Sequence, residues 1–328
     1  MAEFKVLIAD SRYESYEEEK AVLREVDAEV IIESSDDEEK IASLVSDIDG
    51  LIVNLAPITA RVVSAMKQCR CVSRYGIGYD NVDVDALNKK AICLANVTDY
   101  CGEDVSDHAF ALFMDCVRKI SRKDRHVRKG EWNLTGIQEV HRICGKTFGF
   151  VGYGMIAMYF HRKLSGFNLG RVLVADPLVS EEVVKKAGAE LVDLNTLCKK
   201  SDYISLHAPV LPATRGMIGS AQFDMMKNAV ILINTARGPL VDEKALIDAL
   251  KTGKIACAGL DVFLNEPLQM ESELRELDNV TLTDHAAWYS EESMVELKTK
   301  AARNVALVLS GKPPLFCVNP EVLTFGHG

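Results

Sequence analysis

The sequence predicts an α/β fold of two doubly wound parallel-sheet units, and three observations carry that prediction. Short β-branched runs alternate with helical stretches from one end of the 328-residue chain to the other. The runs fall into two series, parted by one long helical segment. The second series opens on a glycine-rich strand-to-helix turn.

The first series reads KVLIAD (5–10), EVIIE (29–33), GLIVN (50–54), CVSRY (71–75) and AICLANV (91–97). Amphipathic segments such as Tyr16–Val26 and Asp37–Asp47 lie between them. Strand, helix and strand in repetition make neighbouring strands parallel, with helices covering both faces of the sheet. The second series runs through TFGFVG (147–152), RVLVADP (171–177), YISLHAP (203–209), AVILINTA (229–236), CAGLDVF (257–263) and NVTLTDH (279–285). Between the two series lies a helix over Glu103–Lys119, followed by the polar stretch SRKDRHVRKGEWNLTGIQEVHR. Its basic cluster, Arg118 to Lys129, reads as a solvated helix face with a loop, because no aromatic interleaving accompanies it. After the last strand, Glu291–Leu309 forms a second long helix, stopped by Gly311, Pro313 and Pro314. The tail PLFCVNPEVL is short and apolar enough to pack back onto the first unit.

Composition narrows the class. With 48% apolar and 26% charged residues, the chain has the make-up of a soluble globular protein of two domains. A net charge of -10 argues against nucleic acid and acidic membrane surfaces as partners. MAEFKVLIAD lacks the apolar centre of a signal peptide, and no stretch approaches the ~18 apolar residues of a membrane span. The expected location is the cytoplasm. Nine cysteines form no CxxC pair, and the CxC of Cys69 and Cys71 offers two ligands at most. Reduced, packed thiols and no metal are expected.

The strongest local signal is GFVGYGMIA (149–157), at the end of a strand and opening a helix. Gly152 permits the tight turn, Gly154 lets the backbone approach a pyrophosphate, and Ala157 is small enough for close helix–strand packing. Tyr153, Met155 and Ile156 complete the turn, whose N–H groups and helix dipole face the phosphates. Asp176 closes the next strand, nineteen residues beyond Ala157, where a carboxylate accepts hydrogen bonds from the adenosine ribose and repels the extra phosphate of NADP. A Rossmann-like domain binding NAD is implied.

Hydride transfer to a 2-oxo acid then needs a grip on the carboxylate and a proton for the developing alkoxide. Arg237, in INTARGPLVDE, follows a strand at the edge where doubly wound sheets bind ligands, and a guanidinium fork grips a carboxylate with two bonds. His285, in TLTDHAAWYSEE, ends another strand at that edge and is the natural general acid near neutral pH. Glu266, in LDVFLNEPL, follows the strand between them and can favour the imidazolium.

RYGIGYDNVDVDAL (74–87), FVGYGMIA (150–157), NTARGPLVDEKAL (234–246), LDVFLNEPL (260–268) and DHAAWYS (284–290) together resemble the D-isomer-specific 2-hydroxyacid dehydrogenases, over essentially the whole chain. The last motif, with Trp288 three residues after the histidine, looks most like the C-terminal-binding-protein branch. The resemblance implies that Arg237, Glu266 and His285 are the catalytic trio. It implies that Asp261 holds the nicotinamide carboxamide and Val105 lies beside the ring. The loop His207–Thr214, including Ala208 and Pro209, would line the cofactor with Thr235 and Ala236. Arg74, Ile77 and Gly78 would close over the substrate from the other domain. That domain, Rossmann-like or flavodoxin-like in its winding, would comprise residues 1–101 and 292–328. The NAD-binding domain, 102–291, would be inserted between, with the two long helices at the hinge and closure excluding water. The family also implies a homodimer.

Three features depart from the family pattern. Met155 stands where an arginine is common, which leaves phosphate binding to backbone N–H groups. Asp284 replaces a common proline before His285, as either a second carboxylate near the imidazole or a solvated strand-end residue. Thr98–Cys101 replaces a small apolar run at the hinge. Trp288 offers either a π face to the substrate or a packing surface at a helix start. Among rival functions, an NADH-sensing corepressor of the C-terminal-binding-protein type is the alternative to catalysis. Formate oxidation is disfavoured by Glu266 where glutamine would be expected. A phosphoglycerate dehydrogenase is also conceivable, though no regulatory domain follows residue 328.

Overall fold

The computed structural model describes residues 2–10, 12–132 and 139–323. Residues 133–138 of the polar stretch expected as a loop lie outside the described residues. The chain divides into two compact units, Met1–Cys101 with Ser290–Gly328, and Gly102–Tyr289.

In the first unit, β1 (Phe4–Ile8), β2 (Ala28–Ile32), β3 (Gly50–Val53), β4 (Cys71–Arg74) and β5 (Cys93–Ala95) form one parallel sheet in the order β2-β1-β3-β4-β5. Burial on both faces explains why GLIV of β3 is apolar at three of its four positions without alternation. The helix Glu291–Leu309 packs on β3 and β4, so closely that a Cβ on Gly50 would meet Val305 Cγ1 at 2.5 Å. Lys298 of that helix is buried and is paired with Glu18 and Glu19. The tail then runs back along β5. Val318 donates its N–H to the Leu94 carbonyl at 2.8 Å, and the Asn319 side chain bonds Leu94 N and Ile92 O. It covers the free edge of the sheet with an antiparallel bridge, Ala95 to Cys317.

The second unit holds β6 (Thr147–Val151), β7 (Arg171–Ala175), β8 (Glu190–Leu191), β9 (Tyr203–Leu206), β10 (Val230–Asn234), β11 (Ile255–Leu260) and β12 (Val280–Leu282). All are parallel, in the order β12-β11-β10-β9-β6-β7-β8. The winding reverses between β6 and β9. Ligands of doubly wound sheets bind at the carboxyl ends of the strands at such a switch point. Under it, Phe113, Phe148, Phe150 and Phe160 are fully buried and meet edge to face or tilted, with Phe148 and Phe150 centroids 4.7 Å apart.

The expected fold class, two parallel-sheet α/β units, is borne out. Some boundaries differ for local reasons. KVLIAD stops pairing at Ile8, because Asp10 turns its carboxylate onto the N–H groups of Asn54, Leu55 and Ala56 at 2.7, 2.6 and 2.9 Å. AICLANV shortens to Cys93–Ala95. The two-residue β8 was unforeseen, since EL carries no alternation to read. The basic stretch forms a second helix, Ile120–Arg128, separated from Gly102–Arg118 by Lys119 in the left-handed region at φ 58°. None of its residues is buried, as a solvated face requires. All nine cysteines are free thiols, seven of them buried, and no metal-ligating cluster occurs among the described residues. No helix among the described residues is long and apolar enough to cross a membrane.

Asp10 is 4% exposed and ties the end of β1 to the turn after β3. Asp10→Ala strands three donors in a partly buried turn, so we expect a loss of about 2 kcal/mol, read as a lower thermal midpoint. An unchanged midpoint would show that water satisfies those groups.

Candidate active site

The glycine turn follows from β6 pointing straight at the switch point. Gly152 has φ +83°, and a Cβ there would stand 2.7 Å from the Ala208 nitrogen and the His207 carbonyl carbon. Both its conformation and the close passage of the 207–214 loop therefore demand glycine. Gly154 is different: a Cβ there would meet nothing within 4 Å, so its small size leaves space in front of the helix Met155–Lys163. Ala157 is completely buried beneath the turn. Asp176, just past β7, accepts the Tyr153 N–H at 2.7 Å and the Leu178 N–H at 2.8 Å. Its carboxylate is thereby fixed beside the turn, with acceptor capacity left for a ribose hydroxyl. Tyr153 is buried, and its hydroxyl meets His161 Nδ1 at 2.6 Å. Met155 and Ile156 are half-buried, and Met155 packs against Gly102, where a Cβ would meet its Cε at 2.9 Å. The thioether that stands in place of arginine is thus a packing group.

The neighbouring strand ends carry the other predicted cofactor residues. His207 hydrogen-bonds Ser205 Oγ at 2.8 Å, and burial among Phe150 and Phe160 pushes its imidazole down to about 3. Thr214 closes the loop of Ala208 and Pro209 by accepting from Leu211 N and donating to Pro209 O, both at 2.7 Å. Thr235 is buried, and its hydroxyl has no partner within the protein. An orphaned hydroxyl at a strand end, an open Gly154 and a fixed Asp176 are what a bound dinucleotide would satisfy. The residues present fit NAD.

The proposed trio comes together at the ends of three adjacent strands. His285 Nδ1 lies 2.6 Å from Glu266 Oε2, with both side chains about a third exposed. Burial opposes the charge on Glu266, but the His285 hydrogen bond and charge, the Phe263 N–H and the nearby Arg237 outweigh it and hold its carboxyl below the usual range. Arg237 is half-buried beyond β10, and its Nη1 donates to the Ala236 carbonyl at 2.7 Å. A cation, an ionised carboxylate and an imidazole therefore share one edge.

Sequence reasoning missed the groups that aim them. His285 sits at φ 58°, a left-handed backbone uncommon for a residue with a Cβ. Asp261 holds it there. This carboxylate is 1% exposed and accepts from Thr283 Oγ1 at 2.6 Å, Ala286 N at 2.9 Å and Ala287 N at 3.0 Å, while the Asp261 carbonyl accepts the His285 N–H. His108 Nε2 joins at 2.9 Å from Thr283. The carboxylate expected to hold a carboxamide also anchors the His285 loop. Gly238 does the same service for Arg237: a Cβ there would lie 1.9 Å from the Phe263 carbonyl, so only glycine lets the β10 and β11 loops touch. The RG pair was the available signal. Asn234 finishes the turn by bonding Arg237 O and Ala236 N.

Of the remaining predicted residues, Val105 is buried in the helix Gly102–Arg118. Trp288 is half-buried and meets Tyr289 edge to face at 5.8 Å, and Asp284 is exposed. Arg74, Ile77 and Gly78 belong to the first unit. There Arg74 donates to the Tyr75 carbonyl, and Asn96 Nδ2 holds Ile77 O at 2.8 Å, on a single loop after β4.

The fold and this edge define a dinucleotide-binding oxidoreductase. The chain belongs to the D-isomer specific 2-hydroxyacid dehydrogenase family, whose NAD binding domain its residues 110–287 match. The glyoxylate reductase of Korarchaeum cryptofilum is 39% identical over 297 residues, 90% of this chain and 86% of that protein. A glyoxylate reductase from Paecilomyes thermophila superposes with a TM-score of 0.88 at 26% identity, covering 98% of this chain and all of that one (100%). The D-lactate dehydrogenase from Aquifex aeolicus, complexed with NAD and lactic acid, gives 0.84 at 27% identity, covering 93% and 96%.

Asp176→Asn keeps an acceptor for Tyr153 N–H and removes the charge. The ratio of NADPH to NADH affinity, measured by fluorescence titration, should rise about tenfold. An unaltered ratio would mean that this carboxylate does not face the ribose.

Proposed function

We propose that the protein reduces a small 2-oxo acid to the matching D-2-hydroxy acid with NADH, and runs the reverse reaction with NAD. The carrying observation is the 2.6 Å contact between His285 Nδ1 and the ionised Glu266. It turns the imidazole so that Nε2 is the end left for substrate. Bound NADH supplies the hydride. Arg237 grips the substrate carboxylate through its fork, and its charge favours the acid over a neutral carbonyl compound. His285 gives the Nε2 proton to the carbonyl oxygen as charge develops there, while Glu266 accepts the Nδ1–H and balances the imidazolium. In the oxidative direction Nε2 takes the hydroxyl proton back. Half-buried Trp288 is a wall for the substrate's side chain, which suits an apolar or thioether group.

The relatives reported above, two glyoxylate reductases and a D-lactate dehydrogenase, support turnover. The C-terminal-binding-protein-like assignment rests on Trp288 alone. A homodimer through the second unit is supported by Ile120, Val127 and Trp132, exposed at 57%, 53% and 91% along and just after the helix Ile120–Arg128. The acidic balance supports a reaction in the cytoplasm, away from nucleic acid and membranes.

NADH consumption with glyoxylate, pyruvate, hydroxypyruvate, phenylpyruvate and 4-methylthio-2-oxobutyrate, followed by chiral analysis of the product, tests the reading. Loss of NADH with none of them, alongside NADH-driven association, would replace it with a binding function. His285→Ala should cut the reduction rate about 10²–10⁴-fold with NADH binding nearly intact. An unchanged rate removes the imidazole from the reaction. Arg237→Lys should raise KM for the 2-oxo acid more than it lowers kcat, since a point charge cannot reproduce the fork. Equal kinetics would put the carboxylate elsewhere.

A further inference from the structure

The first unit carries a cluster of thiols that the reaction does not use. Cys93 on β5 is 2% exposed, and its Sγ lies 3.8 Å from that of Cys317 in the tail. Cys71 on β4 faces Cys93 in register across the parallel pair and is completely buried. We propose that Cys93 and Cys317 are a peroxide-sensitive pair that closes to a reversible disulfide, clipping the C-terminal tail to the sheet edge.

Geometry selects this pair. A disulfide requires the sulfurs to close from 3.8 Å to about 2.0 Å, so one partner must move. Cys317 can. It is partly exposed, on a tail held to the sheet along one side only, by the bridge to Ala95, the Val318 N–H to Leu94 O and Asn96 N–H to Phe316 O bonds and the Asn319 side chain. Cys71 cannot, because it sits within a strand hydrogen-bonded on both sides, between β3 and β5. Cys69 is buried, and its thiol is engaged with the Cys71 carbonyl at 3.4 Å.

The proton balance favours reaction as well. Hydrogen bonds from the Cys71 and Cys317 thiols hold the Cys93 thiol below its usual range, whereas burial and the charge of Cys93 push Cys317 up to about 12. The pair therefore loses one proton as a unit and shares the one that remains. The thiolate stands mainly at Cys93, which takes up the Cys317 proton as the sulfur that solvent reaches begins to react. The Cys317 sulfur attacks a peroxide oxygen and the O–O bond breaks, giving a sulfenic acid and a hydroxide that takes back the proton the pair released and leaves as water. Cys93 sulfur then attacks Cys317 sulfur; the S–S bond forms as the S–O bond breaks, and the departing hydroxide takes the thiol proton as water. Two thiols and one peroxide yield one disulfide and two waters.

The second unit supplies an internal contrast. Cys116 and Cys257 also face one another, but both are buried, at 0% and 4% exposure, on a helix and a central strand. Without a movable, exposed member, that pair should stay reduced.

The test uses the full chain in a Cys144→Ser background, which removes the exposed thiol. Native protein is treated with a few equivalents of hydrogen peroxide, alkylated, digested without reductant and mapped by mass spectrometry. The expected product joins the Cys93 and Cys317 peptides with the loss of two hydrogens. Dithiothreitol should reverse it, and Cys317→Ser should abolish it while leaving the thermal midpoint of the reduced protein unchanged. Recovery of both residues as free thiols, a Cys71–Cys93 link, or Cys317 only as sulfinic acid would each overturn the proposal. Should Cys317→Ser fold poorly, the peptide map of the background protein decides alone.

Discussion

A buried carboxylate, Asp261, governs the geometry of the reactive edge. A charge at 1% exposure is tolerable only when donors surround it, and the donors here are the Thr283 hydroxyl and the N–H groups of Ala286 and Ala287. Those two amides flank His285 on its C-terminal side, and Thr283 lies two residues before it. Satisfying Asp261 thus forces the intervening residue through the left-handed region, a strain of order 1–3 kcal/mol that the hydrogen bonds offset. The imidazole is delivered to Glu266 as a consequence of burying a different acid.

The same economy of approach recurs at the neighbouring strand end. Gly238 lets the loop after β10 lie against the Phe263–Leu264 backbone, and this brings Arg237 near enough for its charge to help ionise Glu266. Three side chains from loops far apart in sequence become one electrostatic unit because β10, β11 and β12 are parallel neighbours. His207, at the end of the adjoining β9, shares the edge but differs in setting from His285. Burial beside Phe150 and Phe160 disfavours its charged form.

The nucleotide side works chiefly through backbone. Gly152 and Gly154 are glycine for opposite reasons, one because the 207–214 loop crowds it and the other because nothing does. Asp176 buttresses the turn through Tyr153 N–H, which gives the proposed recognition group a structural part as well. With Met155 packed on Gly102, the phosphate end is left to amides and the helix dipole. The first unit follows a different logic, in which the tail and the helix Glu291–Leu309 complete a sheet begun three hundred residues earlier.

The alternating runs and the glycine turn were enough to read the fold class, because both depend on short-range patterning: period, turn chemistry and the size of a side chain. Arg237, Glu266 and His285 were legible too, since each stands just past a strand and parallel strands deliver their carboxyl ends to one edge. The supports were not. Asp261 was read only as a cofactor residue, and Thr283 and His108 look like ordinary polar residues, until β11, β12 and the helix Gly102–Arg118 are packed together. Gly238 gains its meaning only when another loop occupies the place of its missing side chain. Residue type and spacing determined which groups could do the chemistry, because those properties are local. Tertiary structure alone decided how they are aimed, because a buried charge and a close backbone contact exist only between segments that the chain itself keeps far apart.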